Sequence, residues 1–235
     1  MGTDIHLGVE RFTGASWVPV EDVLPTREEY SEAFADPYDK ERVEEFYRTN
    51  PTSRDYNTFA LLAGVRNGVG FAGKKRCERV EPAFEGRGVP EDTSFELDGD
   101  HWLGGDHSHT FCSYKEAVAV DWGRETRMFG FVPLDHWAEW KANGSPCPIS
   151  WCGGVSQDCI SEELAQVRVA NGEVPERPNP DNPFGAYLGE YVESSWVMRP
   201  TADSPFRLWL LSEKMQALAN EYGQENIRIC MSFDS

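Results

Sequence analysis

The chain has 235 residues, 40% of them hydrophobic, with eight tryptophans and thirteen phenylalanines, which is enough apolar material for a sizeable core and excludes a disordered chain. Lysine and arginine number 22 against 40 aspartates and glutamates, a net charge of -18 that is dense between Glu28 and Glu45. A field of that sign repels phosphates and disfavours broad nucleic-acid binding, and no stretch approaches the roughly 18 to 20 apolar residues that span a membrane.

The N-terminus has no basic segment followed by an apolar run of signal-peptide length. The expectation is a soluble, cytoplasmic protein whose six cysteines are free thiols. Nothing resembles a long low-complexity linker, so residues 1–235 read as a single α+β domain: a mixed or mainly antiparallel sheet with helices packed on it.

Residues 3–12 alternate apolar and polar and read as a strand, with Ile5, Leu7 and Val9 on one face and Asp4, His6, Gly8 and Glu10 on the other. Ser16 to Val20 is its hairpin partner, with Pro19 marking an edge or an end. Tyr38 to Arg48 is a short helix stopped by Asn50-Pro51. Ser53 caps a second helix from Arg54 to Arg66, which puts Arg54 in its first turn, against the helix dipole. Such a placement is tolerated when the arginine meets an anion. The glycine-rich stretch 67–90 reads as a long mobile loop, with Lys74-Lys75-Arg76 as the chain's basic cluster.

Ser113 caps a helix running from Tyr114 to Trp122, Phe129 to Val132 is a strand, and Ser161 to Arg168 is a helix. Residues 171–185, with four prolines, read as a flexible loop. At the C-terminal end a strand over Ser195–Arg199, one helix from Phe206 to Tyr222 and a strand over Asn226–Asp234 suggest two strands of one sheet.

Three of the five histidines fall in Asp4-Ile5-His6 and Asp106-His107-Ser108-His109. On an extended segment, Asp-x-His and His-x-His put both side chains on one face. Imidazoles and carboxylates gathered this way suit a divalent metal such as zinc or manganese, or a metal-free acid/base site. His136, among aromatics, reads as a packed histidine. Cys147, Cys152 and Cys159 lack the paired spacing of a structural zinc site, and free thiols are the default for them.

Five motifs together resemble a family of bacteriophage- and prophage-encoded proteins without an assigned activity: Asp4-Ile5-His6; Arg54-Asp55-Tyr56 with Phe59, Leu62, Ala63, Val65 and Arg66; Gly88-Val89-Pro90 with Asp92 and Ser94; Asp106 with Ser108-His109; and the terminal Ile227-Arg228-Ile229 with Phe233-Asp234. The similarity spans nearly the whole chain and is weakest between about residues 140 and 190. It implies a viral origin and action in a host cytoplasm. It also implies that the scattered polar groups recur as one set, as a shared pocket requires.

That pocket would place Asp4, His107 and His109 at the chemistry, His6, His107, His109 and Asp4 on a metal, and Arg54, Tyr56, Arg66, Asp92 and Asp234 on the ligand. Its leading reading is a binder of an anionic, nucleotide-like small molecule that antagonises host defence. The alternatives are a metal-dependent hydrolase of a phosphorylated or nucleotide substrate, and an acidic protein that docks on a host or phage partner without a small ligand.

Overall fold

The computed structural model describes residues 3–36, 38–70, 73–94, 107–153, 159–174 and 190–234. In chain order its first elements are β1 Ile5–Phe12, β2 Trp17–Pro19, α1 Arg27–Ala33, α2 Lys40–Thr49, α3 Tyr56–Ala63, β3 His107–Ser113 and α4 Tyr114–Val118. There follow β4 Thr126–Pro133, α5 Leu134–Asn143, β5 Cys159–Ile160, α6 Glu162–Ala170, β6 Tyr191–Met198, α7 Pro205–Leu210, α8 Glu213–Tyr222 and β7 Ile227–Phe233. The class is α+β, with two mostly antiparallel sheets where the sequence suggested one. Two compact units hold them: Met1–Asn67, Arg79–Arg124 and Pro200–Ser235 form the first, Gly68–Glu78 and Glu125–Arg199 the second.

The sheet of the first unit has the order β2-β1-β7-β3, antiparallel throughout. The alternation read in the sequence is what builds its core. Ile5, Leu7 and Val9 of β1 share a face with Ile227, Ile229, Met231 and Phe233 of β7, and that face packs on Phe59 and Leu62 of α3 and on Phe206, Leu210 and Met215. Fully burying a side chain of this size contributes about 1.5–3 kcal/mol. The opposite face is buried too: Glu10, Arg228 and Ser232 are 0%, 6% and 0% exposed, so β7 is a central strand hidden on both sides.

Several helix ends differ from expectation. Asp55, not Ser53, caps α3, its carboxylate accepting from the Asn57 and Thr58 amides and the Thr58 hydroxyl. Arg54 therefore precedes the helix, and the argument from the helix dipole lapses. The long C-terminal helix is two helices, because Ser212 accepts from the Met215 amide and restarts the ladder as α8. The strands on either side of this pair lie in different sheets, β6 in the second unit and β7 in the first.

In the second unit the sheet order is β4-β6-β5, with β5 parallel to β6. Met128, Val132, Trp137, Trp140, Val192 and Trp196 form its core. Lys74, Lys75 and Arg76 lie over the rings of Phe131, Phe129 and Trp151, with the Lys75 ammonium 3.8 Å from its ring centroid, so the basic cluster is laid on aromatic rings. Within the first unit, Asn67 clamps Val80 in both directions, at 2.7 and 2.9 Å. Among its described residues the stretch expected to be a loop forms no α-helix and no long strand, and it is tied at this point. Asp106 and residues 175–185 of the proline-rich loop lie outside the described residues.

Candidate functional site

A cleft of about 770 Å³ opens beside the first residues of β1 and is lined by Asp4, Ile5, His6, Leu7, Tyr30, Tyr47, Asn50, Thr52, Ser53 and Arg54. Its walls follow from local chemistry. Asn50 ends α2, its amide bonded to the Phe46 carbonyl, and its side-chain oxygen accepts from the Thr52 amide and hydroxyl at 3.0 and 2.8 Å. The Ser53 hydroxyl returns to the Tyr47 carbonyl. This turn delivers Arg54 to β1, where its Nε and Nη2 donate to the two oxygens of Asp4 at 2.7 and 2.8 Å. On the other wall Tyr30, Phe34, Phe46 and Tyr47 form a chain of ring contacts joining α1 to α2, with Tyr30 51% and Tyr47 43% exposed.

The end of β7 completes the polar group. The Asp4 amide donates to Asp234 Oδ1 at 2.7 Å, the Asp234 amide donates to the Asp4 carbonyl at 3.2 Å, and His6 Nε2 lies 3.7 Å from Asp234 Oδ2. Thus Asp4, His6, Arg54 and Asp234, four of the residues read from the sequence, come together from three separate segments. Hydrogen bonds from Arg54 hold the Asp4 carboxyl below its ordinary range, burial opposing them in part. A carboxyl so shifted adds stability that is complete above its unfolded value and is lost as pH falls through the lowered native one. Both partners are about half exposed, so the gain is at most about 1 kcal/mol. The expected result is that Arg54→Ala costs this amount at neutral pH and nothing near pH 2, read from urea midpoints across a pH series.

The other predicted residues have different places. Tyr56 and Arg66 meet at Thr3: the Tyr56 hydroxyl accepts from the Thr3 amide, and Arg66 Nε donates to the Thr3 hydroxyl at 2.9 Å with its guanidinium over the Tyr56 ring. Asp92 accepts from Arg228 Nη1 at 2.6 Å. Neither His107 nor His109 is among the described residues lining the cleft. The expected alternation of the two fails because Ser108 has φ +54° and the register slips between His107 and Thr110. His107 is exposed and bonded to the Ser108 hydroxyl, while His109 is half-buried.

Among the described residues no three or more His, Cys, Asp or Glu side chains lie close enough together to hold a metal ion, and this includes His136, Cys147, Cys152 and Cys159. His136 instead sits 3.6 Å from Asp135.

No protein-family model, curated protein or solved structure matches this chain.

Sequence reasoning missed a buried polar cluster in the first unit. Glu10 Oε2 accepts from Arg228 Nε at 2.7 Å, and Oε1 accepts from the hydroxyls of Thr93 and Ser94 at 3.0 and 2.7 Å and from the Ser94 amide. Arg228 stacks over Trp17, 4.1 Å from the ring centroid. Every oxygen of this carboxylate is occupied, so the cluster is a clamp between strand and loop.

The backbone of β1 is the second feature that the sequence does not declare. The Asp234 amide bonds the Asp4 carbonyl, and the register that sets Ile5 opposite Phe233 puts these two residues opposite each other. In an antiparallel ladder such pairs alternate, so His6 and Gly8 turn their N–H and C=O groups towards β7, and Ile5 and Leu7 turn theirs the other way, into the cleft. On that side β2 pairs with Glu10–Phe12 and the Val20 amide reaches the Val9 carbonyl at 2.8 Å. At the other end the Thr3 amide is taken by Tyr56. Between these points, no described residue bonds the outward groups of Ile5 or Leu7.

Proposed function

We propose that this protein acts by binding, not by turnover, and that the cleft beside β1 is where it docks on a protein partner. The observation that carries this reading is a walled cleft with two exposed aromatic rings, Tyr30 and Tyr47, on one side. Aromatic side chains are enriched at the centres of protein interfaces. Following the resemblance to phage-encoded proteins, the partner would be a host or phage protein and the role one of antagonising host defence.

A second reading, a nucleotide-like anion held in the same cleft, is favoured by one observation. Arg54 uses Nε and Nη2 on Asp4, which leaves the Nη1 edge of its fork for a phosphate, with Tyr30 and Tyr47 as stacking surfaces. Against it, the cation is already neutralised by its carboxylate.

Selection of a displayed library of unstructured peptides on the immobilised protein tests the proposal, with counter-selection on a Tyr30→Ala/Tyr47→Ala variant. Peptides enriched on the parent protein alone are the expected result, and equal recovery from both proteins contradicts it. A parallel melting series with nucleotides decides the second reading, since a ligand of the native state must raise its melting temperature. Recovery of a hydrolysed nucleotide would replace binding with catalysis.

A further inference from the structure

The outer face of the second unit's sheet follows from alternation. Thr126, Met128, Gly130 and Val132 of β4 are buried and turn to the core, which leaves Arg127, Phe129 and Phe131 on the other side. Ser194 and Trp196 of β6 turn inward as well and leave Glu193, Ser195 and Val197 outside. The register sets Arg127 opposite Val197, Phe129 opposite Ser195 and Phe131 opposite Glu193. Two phenyl rings, each partly exposed, therefore stand two residues apart on one strand, about 7 Å along it at a rise of roughly 3.4 Å per residue.

Lys74 and Lys75 lie on these rings, their ammonium groups 6.0 and 3.8 Å from the centroids of Phe131 and Phe129. Both lysines are exposed, and among the described residues no carboxylate pairs with either. Arg127, on the same face, is held by Glu78 at 3.4 Å, and Glu193 is the carboxylate opposite Phe131, so the face carries a small positive excess. The chain's acidity is unevenly divided: eight basic and twelve acidic residues give the second unit a net charge of -4, while fourteen and twenty-eight give the first -14. The charge that repels phosphates belongs mostly to the first unit.

We infer that this face binds single-stranded nucleic acid: neighbouring bases stack on Phe129 and Phe131 while Lys74 and Lys75 swing from the rings to the phosphates. Aromatic side chains on a sheet surface are a platform for unpaired bases because every base has a π-face, and cations beside them hold the backbone. A duplex keeps its bases stacked inside and offers none to the rings. An acidic peptide meets the lysines and gains nothing from the phenyl groups. The face shares no residue with the cleft beside β1, so this inference stands apart from the docking reading.

The probe is an oligothymidylate of about eight nucleotides, a length that one such surface covers, with an abasic oligomer of the same length and a polyglutamate peptide as comparisons. Anisotropy titrations of the full chain at low salt should show the oligothymidylate binding at least tenfold more tightly than either. Lys74→Ala/Lys75→Ala, at exposed positions, should weaken it and flatten the slope of log affinity against log salt by about 1.4, two phosphates at roughly 0.7 each for a single strand. Phe129→Leu/Phe131→Leu keeps the apolar cover, removes the π-faces and should cost at least tenfold in affinity. No binding at low salt, equal binding of the abasic oligomer, or unchanged affinity in either variant overturns the inference. Polyglutamate binding as tightly as the oligothymidylate would assign the face to an acidic protein segment and overturns it too.

Discussion

Replacing Arg228 by methionine should lower the stability of the first unit by about 3–5 kcal/mol, the usual cost of removing one member of a buried ion pair. Glu10 is fully buried and Arg228 is 6% exposed, so the substitution leaves a carboxylate with no cation and no water. The bonds to Glu10 from Thr93 and Ser94 remain, but neutral donors do not replace a charge. Arg228 also loses its place over Trp17 and its bond to Asp92. The double variant Glu10→Leu/Arg228→Met should recover a large part of the loss, because two apolar side chains bring no desolvation penalty. Full recovery is not expected, since the Thr93 and Ser94 donors lose their acceptor. Denaturant midpoints of the two single variants and the double variant measure the coupling directly. A loss under about 1 kcal/mol for Arg228→Met would mean that the clamp is solvated and the pair unimportant.

Phe233→Ala should cost a similar amount, about 3–5 kcal/mol, for a different reason. The side chain is fully buried. Its ring meets Phe59 of α3 edge-on, with centroids 5.2 Å apart, and its backbone stands between Ile5 of β1 and His107 of β3. Truncation removes apolar area and leaves a cavity at the point where three strands and a helix meet. Because Asp234 follows directly, the strand end that positions Asp4 and His6 loosens as well. Tyr47→Ala, at a half-exposed ring on the cleft wall, serves as the contrast and should change stability by no more than about 0.5 kcal/mol.

What the sequence makes legible is whatever local chemistry decides. The alternation of Ile5, Leu7 and Val9 announces a strand, and the serines at 113 and 161 announce helix starts, as hydroxyls able to accept from a first-turn amide. Thr26 with Glu29 carries the same signal in its fullest form, a reciprocal capping box, and it would have disclosed α1. Where two cap residues compete, as Ser53 and Asp55 do, the better acceptor wins: Asp55 serves two amides and a hydroxyl. The helix from Phe206 was read through Leu211 because its apolar spacing continues, and Ser212 interrupts it.

Long-range choices leave no such trace. Glu10 and Arg228 are 218 residues apart in sequence and look like ordinary solvated charges until strand pairing sets them side by side. The same holds for the pairing of β1 with β7, which brings Asp4, His6 and Asp234 together, and for β6 and β7 entering different sheets. The slip at Ser108 sits in a left-handed backbone conformation that serine rarely adopts, so nothing in His-Ser-His foretold that the expected alternation would fail. Four of the nine proposed site residues, Asp4, His6, Arg54 and Asp234, come together because they lie at the start of β1, just past the end of β7 and just after the Asn50 turn. The others are used elsewhere, Tyr56 and Arg66 at Thr3 and Asp92 on Arg228.

Amide hydrogen exchange along β1 in the free, monomeric protein tests the account at its centre. If the ladder alternates as its register requires, the Ile5 and Leu7 amides have no partner in β7 and exchange faster than those of His6 and Gly8, which are bonded to it. Uniform protection from Ile5 to Gly8 would mean that the Ile5 and Leu7 amides are already bonded, and the account of how β1 and the end of β7 build the cleft would not survive that result.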